Sequence, residues 1–249
     1  MNETEQLLHW VYVALLTVSG VVFYLKSKDP KGIPQYKYTI HMFIVFWSAL
    51  AYAALAMNQG SVNFNGQQVH FARYVDWVVT TPLLLLSLTM TGKLITRKEG
   101  WLIATLMGTQ AIMILTGLVA ELSSPGFSQY FWYTMGCIAL VIVLYIFWGP
   151  LLAIAKTQGE GIERVYAKSA TFLTVQWILY PLVWLIGTPG LQLIGPFWTT
   201  VGFLVLPVIS KAGFGFYNLS LLRNLEEHDK PAPKPVHPAP PHGKARPAY

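Results

Sequence analysis

The chain is poor in charge and in cysteine. Only 11% of its 249 residues are Asp, Glu, Lys or Arg, against about 25% in an ordinary soluble domain. That deficit argues against a disordered chain, a coiled coil and an ordinary cytosolic enzyme. A single cysteine, Cys137, excludes an intrachain disulfide framework and any multi-cysteine metal site. No metal ligand set and no internal repeat emerge. What the chain has instead is apolar mass: 54% hydrophobic and 14% aromatic residues, with a mean hydropathy of +0.46.

That mass is gathered into seven runs long enough to cross a bilayer, each about 20 residues. They lie near Glu5–Leu25, Tyr38–Met57, Phe71–Met90, Trp101–Leu122, Phe127–Trp148, Ala170–Ile186 and Leu191–Leu222. The runs are continuously apolar, without the period-2 alternation of barrel strands, so the predicted fold is all-α, a seven-transmembrane helix bundle. Turn residues separate them, as at Asp29-Pro30-Lys31-Gly32 and Ser124-Pro125-Gly126. The link after the second run holds Asn65-Gly66 between short alternating segments, which predicts a β-hairpin over 62–69.

The formal charge is +6, and its placement gives it a topological meaning. Lysines and arginines cluster in the first, third and fifth links and after the last run. By the positive-inside rule the N-terminus is extracellular and the C-terminus cytoplasmic, in a multi-pass protein of the cell membrane with no nucleic-acid face. The first run is too long, and lacks the basic flank, for a cleaved signal peptide. Residues 1–225 form the membrane domain. Residues 226–249, with Pro-Ala-Pro-Lys-Pro and Pro-Ala-Pro-Pro, cannot build a packed core and read as a disordered cytoplasmic tail.

Ionisable groups inside a membrane are costly and are functional candidates by default. Four stand out: Arg73, Asp76, His41 and Lys211. Lys211 lies about 18 Å of helix from Arg223, too deep for its ammonium to snorkel. It must pair with an anion, lose its proton or be covalently modified. A buried lysine suits Schiff-base formation with an aldehyde, and Asp76 is the deep carboxylate that could serve as its counter-ion. A structural Lys–Asp pair remains the alternative. Trp177, Tyr180, Pro181 and Trp184 fall on one face of the sixth helix. With Trp77, Met113 and Trp132 they describe a slot for a long, flat, apolar ligand.

These residues carry a resemblance. Arg73-Tyr74-Val75-Asp76-Trp77-Val78-Val79-Thr80-Thr81-Pro82-Leu83 resembles the third-helix signature of microbial (type I) rhodopsins. Trp177-Ile178-Leu179-Tyr180-Pro181-Leu182-Val183-Trp184 is similar to their sixth-helix retinal clamp, and Ser210-Lys211-Ala212-Gly213-Phe214 to the segment bearing the retinal lysine. The resemblance implies all-trans-retinal held covalently on Lys211 as a protonated Schiff base, with Asp76 as counter-ion and Arg73 stabilising it. Trp77, Thr81, Met113, Trp132, Trp177, Tyr180, Trp184 and Pro207 would surround the chromophore. The protein would be a photoreceptor rather than an enzyme.

Departures from the family's pumps narrow the reading. Outward proton pumps place a carboxylate where this chain has Ser87, and a second counter-ion aspartate where it has Pro207. Their archaeal release-group glutamates correspond to Pro189 and Thr199. Chloride pumps replace the aspartate that Asp76 preserves, and a channel would need a polar stripe these runs lack. Asp76, Thr80 and Ser87 together with Pro207 resemble the xenorhodopsin and cyanobacterial sensory rhodopsin branch. The resemblance therefore implies a light-driven inward proton pump, with a photochromic sensor signalling through a soluble cytoplasmic partner as the alternative. Relatives carry an acidic proton acceptor where this chain has Asn218. His41 is the candidate substitute, its ordinary pKa of about 6.5 suiting transient protonation, and release to water past Ser87 and Asn218 is the other route. A trimer is typical of such relatives. Cys137 reads as a packed core residue.

Overall fold

The computed structural model describes residues 3–64, 66–91 and 100–228. Seven helices carry it. They are α1 (Glu3–Lys28), α2 (Gln35–Ala56), α3 (Phe71–Thr91), α4 (Gly100–Glu121), α5 (Phe127–Lys156), α6 (Glu160–Ile186) and α7 (Pro196–Leu225, helical on to His228). Each is long and apolar enough to span a bilayer, so the all-α seven-transmembrane bundle is observed. The basic links containing Lys93, Arg97 and Lys98, and the Pro-rich tail beyond His228, lie outside the described residues.

A two-stranded sheet, β1 (Val62–Phe64) and β2 (Gln67–Val69), stands between α2 and α3. The strands are antiparallel with Val62 opposite Val69 and Phe64 opposite Gln67, the expected hairpin. Gly66, at φ 76°, supplies the left-handed conformation such a tight turn requires. The end of the bundle bearing this sheet is the hairpin side. The opposite end bears the α1–α2 turn, where Ile33 N–H donates to Pro30 O at 3.0 Å.

Two spans run eight or more residues past an expected bound. α6 starts at Glu160 rather than near Ala170. Glu160 and Glu163 occupy its first turn, where acidic side chains complement the helix dipole, so the charged stretch continues the helix instead of ending it. α5 runs eight residues past Trp148, from Phe127–Ile146 through a π-turn at Phe147–Leu151 that absorbs Pro150.

Burial is unequal. Of the apolar window of α3, 67% is buried, and of α7, 61%, against 28% for α1, α4 and α6. The charged positions 73, 76 and 211 thus sit on the two helices most enclosed by others, away from lipid. α7 is broken by a second π-turn, Ile209–Gly213, which contains Lys211. Pro207 one turn earlier cannot donate to Phe203 O, four residues back. Tyr52 Oη from α2 donates to that carbonyl at 2.9 Å, so the missing backbone bond is replaced by a bridge between helices.

Candidate functional site

Lys211 and Asp76 meet at the centre of the bundle, 1% and 0% exposed. Lys211 Nζ donates to Asp76 Oδ2 in a short charge-assisted hydrogen bond, and to Ser48 Oγ at 2.8 Å. Ser48 Oγ in turn donates to Asp76 Oδ2 at 3.0 Å. A hydroxyl has one proton to give. With that proton on Asp76, the 2.6 Å contact between Tyr12 Oη and Ser48 Oγ has the phenol donating. Thr80 Oγ1 lies 3.3 Å from Asp76 Oδ1 and donates to Asp76 O at 2.8 Å. Tyr12 stacks on Tyr52 with ring centres 4.0 Å apart. The buried charge pair is therefore clamped by α1, α2, α3 and α7, which is how such a pair survives in a low-dielectric interior.

Arg73 is also buried, with its guanidinium 5.4 Å from the Phe203 ring. It forms no ion pair with Asp76, and its Nε and Nη2 have no partner among the described residues. Glu121, at the hairpin end of α4, accepts a short hydrogen bond from Tyr74 Oη. Nearby, Ser61 Oγ and His70 Nδ1 are 2.7 Å apart. His70 lies outside the spans, and burial, helped by Arg73 and His9, lowers its pKa from the usual 6.5 to about 3.

Beside the ion pair a cavity opens between α3, α4, α5 and α6, with Phe203 of α7 completing its lining. Trp77, Thr81, Met113, Trp177, Tyr180 and Trp184 line it, as expected. Trp132 does not. Its neighbour Tyr133 takes that place, stacked on Trp184 at 4.8 Å and 17°, with Gly136 and Cys137 beside it. Cys137 is thus a cavity residue rather than plain core. Lys211, Asp76 and Pro207 are not lining residues. Trp77 lines the cavity next to Asp76, Phe203 four residues before Pro207, and Tyr180 has its Oη 2.9 Å from Ser210 Oγ beside Lys211.

Toward the α1–α2 turn the polar groups change character. Ser87 Oγ and His41 Nε2 are 3.0 Å apart, and both residues are buried. His41 Nδ1 has no partner among the described residues. Asn218 Nδ2 donates to Thr91 Oγ1 at 3.0 Å and to Ser169 Oγ at 2.9 Å, while Thr91 Oγ1 donates to Ser87 O at 3.0 Å. His41, Ser87 and Asn218, dispersed in sequence, are thus linked through α2, α3 and α7. Three groups around the ion pair escaped sequence reasoning: Ser48, Tyr12 and Tyr52. The one signal was a hydroxyl-bearing residue facing inward from each of two apolar helices.

Residues 3–225 match the family model described as bacteriorhodopsin-like protein. The chain is 33% identical over 226 residues to archaerhodopsin-3 of Halorubrum sodomense, covering 88% of this chain and 86% of that one. It is 28% identical over 222 residues to sensory rhodopsin-2 of Natronomonas pharaonis, covering 89% and 91%. Among solved structures, cyanorhodopsin from Calothrix sp. NIES-2098 superposes with a TM-score of 0.83 at 30% identity, over 91% of this chain and 98% of that one. The chain belongs to the bacteriorhodopsin-like family of seven-helix microbial rhodopsins.

Proposed function

We propose that this rhodopsin is a light-driven inward proton pump of the xenorhodopsin kind, with retinal on Lys211, the α1–α2 turn in the cytoplasm and the hairpin outside. The cavity's lining suits such a group: its aromatic slabs Trp77, Trp177, Tyr180 and Trp184 frame a flat apolar slot. When bound as a Schiff base on Lys211 Nζ, retinal supplies light absorption and an isomerisation that turns the N–H away from its dark-state partners.

The observation that carries the direction is the make-up of the half between Lys211 and the α1–α2 turn. Asp76 is the one buried carboxylate among the described residues. Ser87 lies eleven residues further along α3, about 16 Å of helix, where it meets an imidazole and no acid. A carboxyl proton donor, needed to refill Nζ from that end, has no counterpart there. His41 instead offers a place for a departing proton: Nε2 is engaged by Ser87, and Nδ1 is unpartnered. On the hairpin side, Nζ donates to Asp76 Oδ2 and Ser48 Oγ; once the Nζ proton has left toward the cytoplasm, Asp76 takes up a proton from outside and passes it to Nζ. Arg73, one helical turn outward, keeps positive charge between Asp76 and the outside.

Asn218 favours a second reading. Its amide bonds Thr91 and Ser169 and it cannot take up a proton as an acid would, as a photochromic sensor with a soluble partner would permit. The experiment is a pH recording from an unbuffered, illuminated suspension of cells expressing the chain with retinal. External alkalinisation abolished by a protonophore is expected. A pigmented, photocycling protein that leaves the pH unchanged is a sensor, and acidification refutes the inward direction.

A further inference from the structure

Gln110 is the polar residue of the cavity for which nothing above gives a use. It is 0% exposed, it lines the cavity from α4, and neither its Nε2 nor its Oε1 has a hydrogen-bond partner among the described residues. The hydroxyls on the same wall are committed: Thr81 Oγ1 donates to Trp77 O at 2.7 Å, Tyr133 Oη to Pro181 O at 3.2 Å, and Tyr74 Oη to Glu121. The indole N–H groups of Trp77, Trp177 and Trp184 are also unpartnered, but they only donate. A buried amide with both ends unmet is rare and unfavourable in folded proteins. A lone water would satisfy it poorly, because a buried water takes two to four polar partners and the neighbouring wall is Met113, Ile114 and Leu140.

Position says which part of a ligand reaches it. α4 packs on α3 and α5, whereas Lys211 sits on α7, which packs on α1, α2 and α6. A retinal attached at Lys211 and filling the cavity would therefore bring its far end, the ring, toward α4 and Gln110. Resting on the retinal reading above, we infer that the pocket is built for a retinal bearing oxygen on its ring, a hydroxyl or a keto group. The Gln110 amide would donate to that oxygen through Nε2 or accept from its hydroxyl through Oε1.

The test offers the apoprotein, in membranes, equal amounts of all-trans-retinal and all-trans-3-hydroxyretinal, then extracts and quantifies the bound chromophore. One recovered hydrogen bond predicts roughly five- to tenfold enrichment of the hydroxylated form, falling to near parity in Gln110→Leu. Parity in the wild type, or equal enrichment in Gln110→Leu, overturns the inference. Should Gln110→Leu form no pigment, the wild type with 4-oxoretinal decides. A ring-carbonyl stretch lowered from its value in hydrocarbon solvent supports the inference, and an unshifted one overturns it. Absence of pigment with every aldehyde would instead overturn the retinal reading itself.

Discussion

Gly215 is where the geometry around His41 can be perturbed without touching a polar atom. A Cβ added there would lie 2.6 Å from the tip of the Phe23 ring, 2.9 Å from His41 Nδ1 and 3.2 Å from His41 Cγ. Phe23 and His41 are both fully buried, with ring centres 5.6 Å apart, so neither ring can yield without displacing its neighbours. Overpacking of this kind costs about 1–3 kcal/mol. Should the imidazole move to relieve it, the 3.0 Å bond to Ser87 is lost and a buried donor or acceptor is left unmet, a further cost of about 1–3 kcal/mol. Gly213→Ala is the control. Its new Cβ would meet Ile209 and Phe172 only at 3.7–3.8 Å, ordinary contact in the same helix. Gly215→Ala is expected to lower the temperature at which the visible band bleaches. It should also slow proton appearance on the cytoplasmic side to the extent that His41→Ala does. A Gly215→Ala protein with wild-type bleaching and wild-type release would refute both the packing argument and the role given to His41.

Other perturbations address the remaining joints of the structure. Lys211→Ala should abolish visible absorbance under retinal supplementation, and an unchanged band would overturn the attachment site. Tyr52→Phe strips the donor from Phe203 O and should destabilise the pigment by about 1–3 kcal/mol. In a Pro207→Ala background the restored backbone N–H can take that carbonyl, so the cost should shrink, and strict additivity in the cycle would show no coupling. His70 titrates near 3 in the fold and near 6.5 when exposed. Below about pH 6.5 the unfolded chain binds a proton that the folded one refuses, so stability falls as pH drops from 6.5 toward 3. His70→Gln should flatten the bleaching temperature across that window, and an unchanged slope would remove His70 from the account.

The sequence disclosed those features whose signal is a violation of the membrane's rules. Lys211 and Asp76 are charges in hydrocarbon, and each needed a reason to be there. Seven long apolar runs declare seven spans, and Asn65-Gly66 declares the hairpin. Rotation of a helix is another matter. α5 is apolar nearly all round, so no polar face fixes its phase, and the sequence reading puts Trp132 in the pocket rather than Tyr133, about 100° further around the axis. Gly136 and Cys137, three and four residues beyond Tyr133, were the available clue, because small residues on that face leave the room a ligand occupies. Ser48, Tyr12 and Tyr52 were illegible for a different reason. Single hydroxyls in apolar helices commonly bond their own backbone, as Ser19 does to Leu15 O at 2.8 Å. Only the three-dimensional meeting of α1, α2 and α7 separates the two cases. Glu121, near the end of the fourth apolar run, carries no sequence signal of its own, and its pairing with Tyr74 depends on how α3 and α4 abut.

The direction of transport follows, on the reading proposed here, from an asymmetry between the two halves of the bundle. From Lys211 to the hairpin the interior holds an anion, Asp76, a cation, Arg73, and beyond them the Tyr74–Glu121 pair. Charge there has standing compensation, so a proton can reside. From Lys211 toward the α1–α2 turn the buried hydrogen-bonding groups are neutral, Ser87 with His41 and Asn218 with Thr91 and Ser169, and the buried charge at that end is the cation Lys37. A proton on His41 would be a cation with no carboxylate bonded to it, and Lys37 sits one turn beyond it on α2. An uncompensated charge in such surroundings is expensive, so His41 can carry a proton only in passing. A group of that kind serves poorly as a reservoir that refills Lys211 from the cytoplasm. It serves well as a last stop before water, because the same repulsion that opposes protonation hastens release. On the inward-pump proposal the two halves would act as a rectifier: protons rest where charge is compensated and leave where it is not.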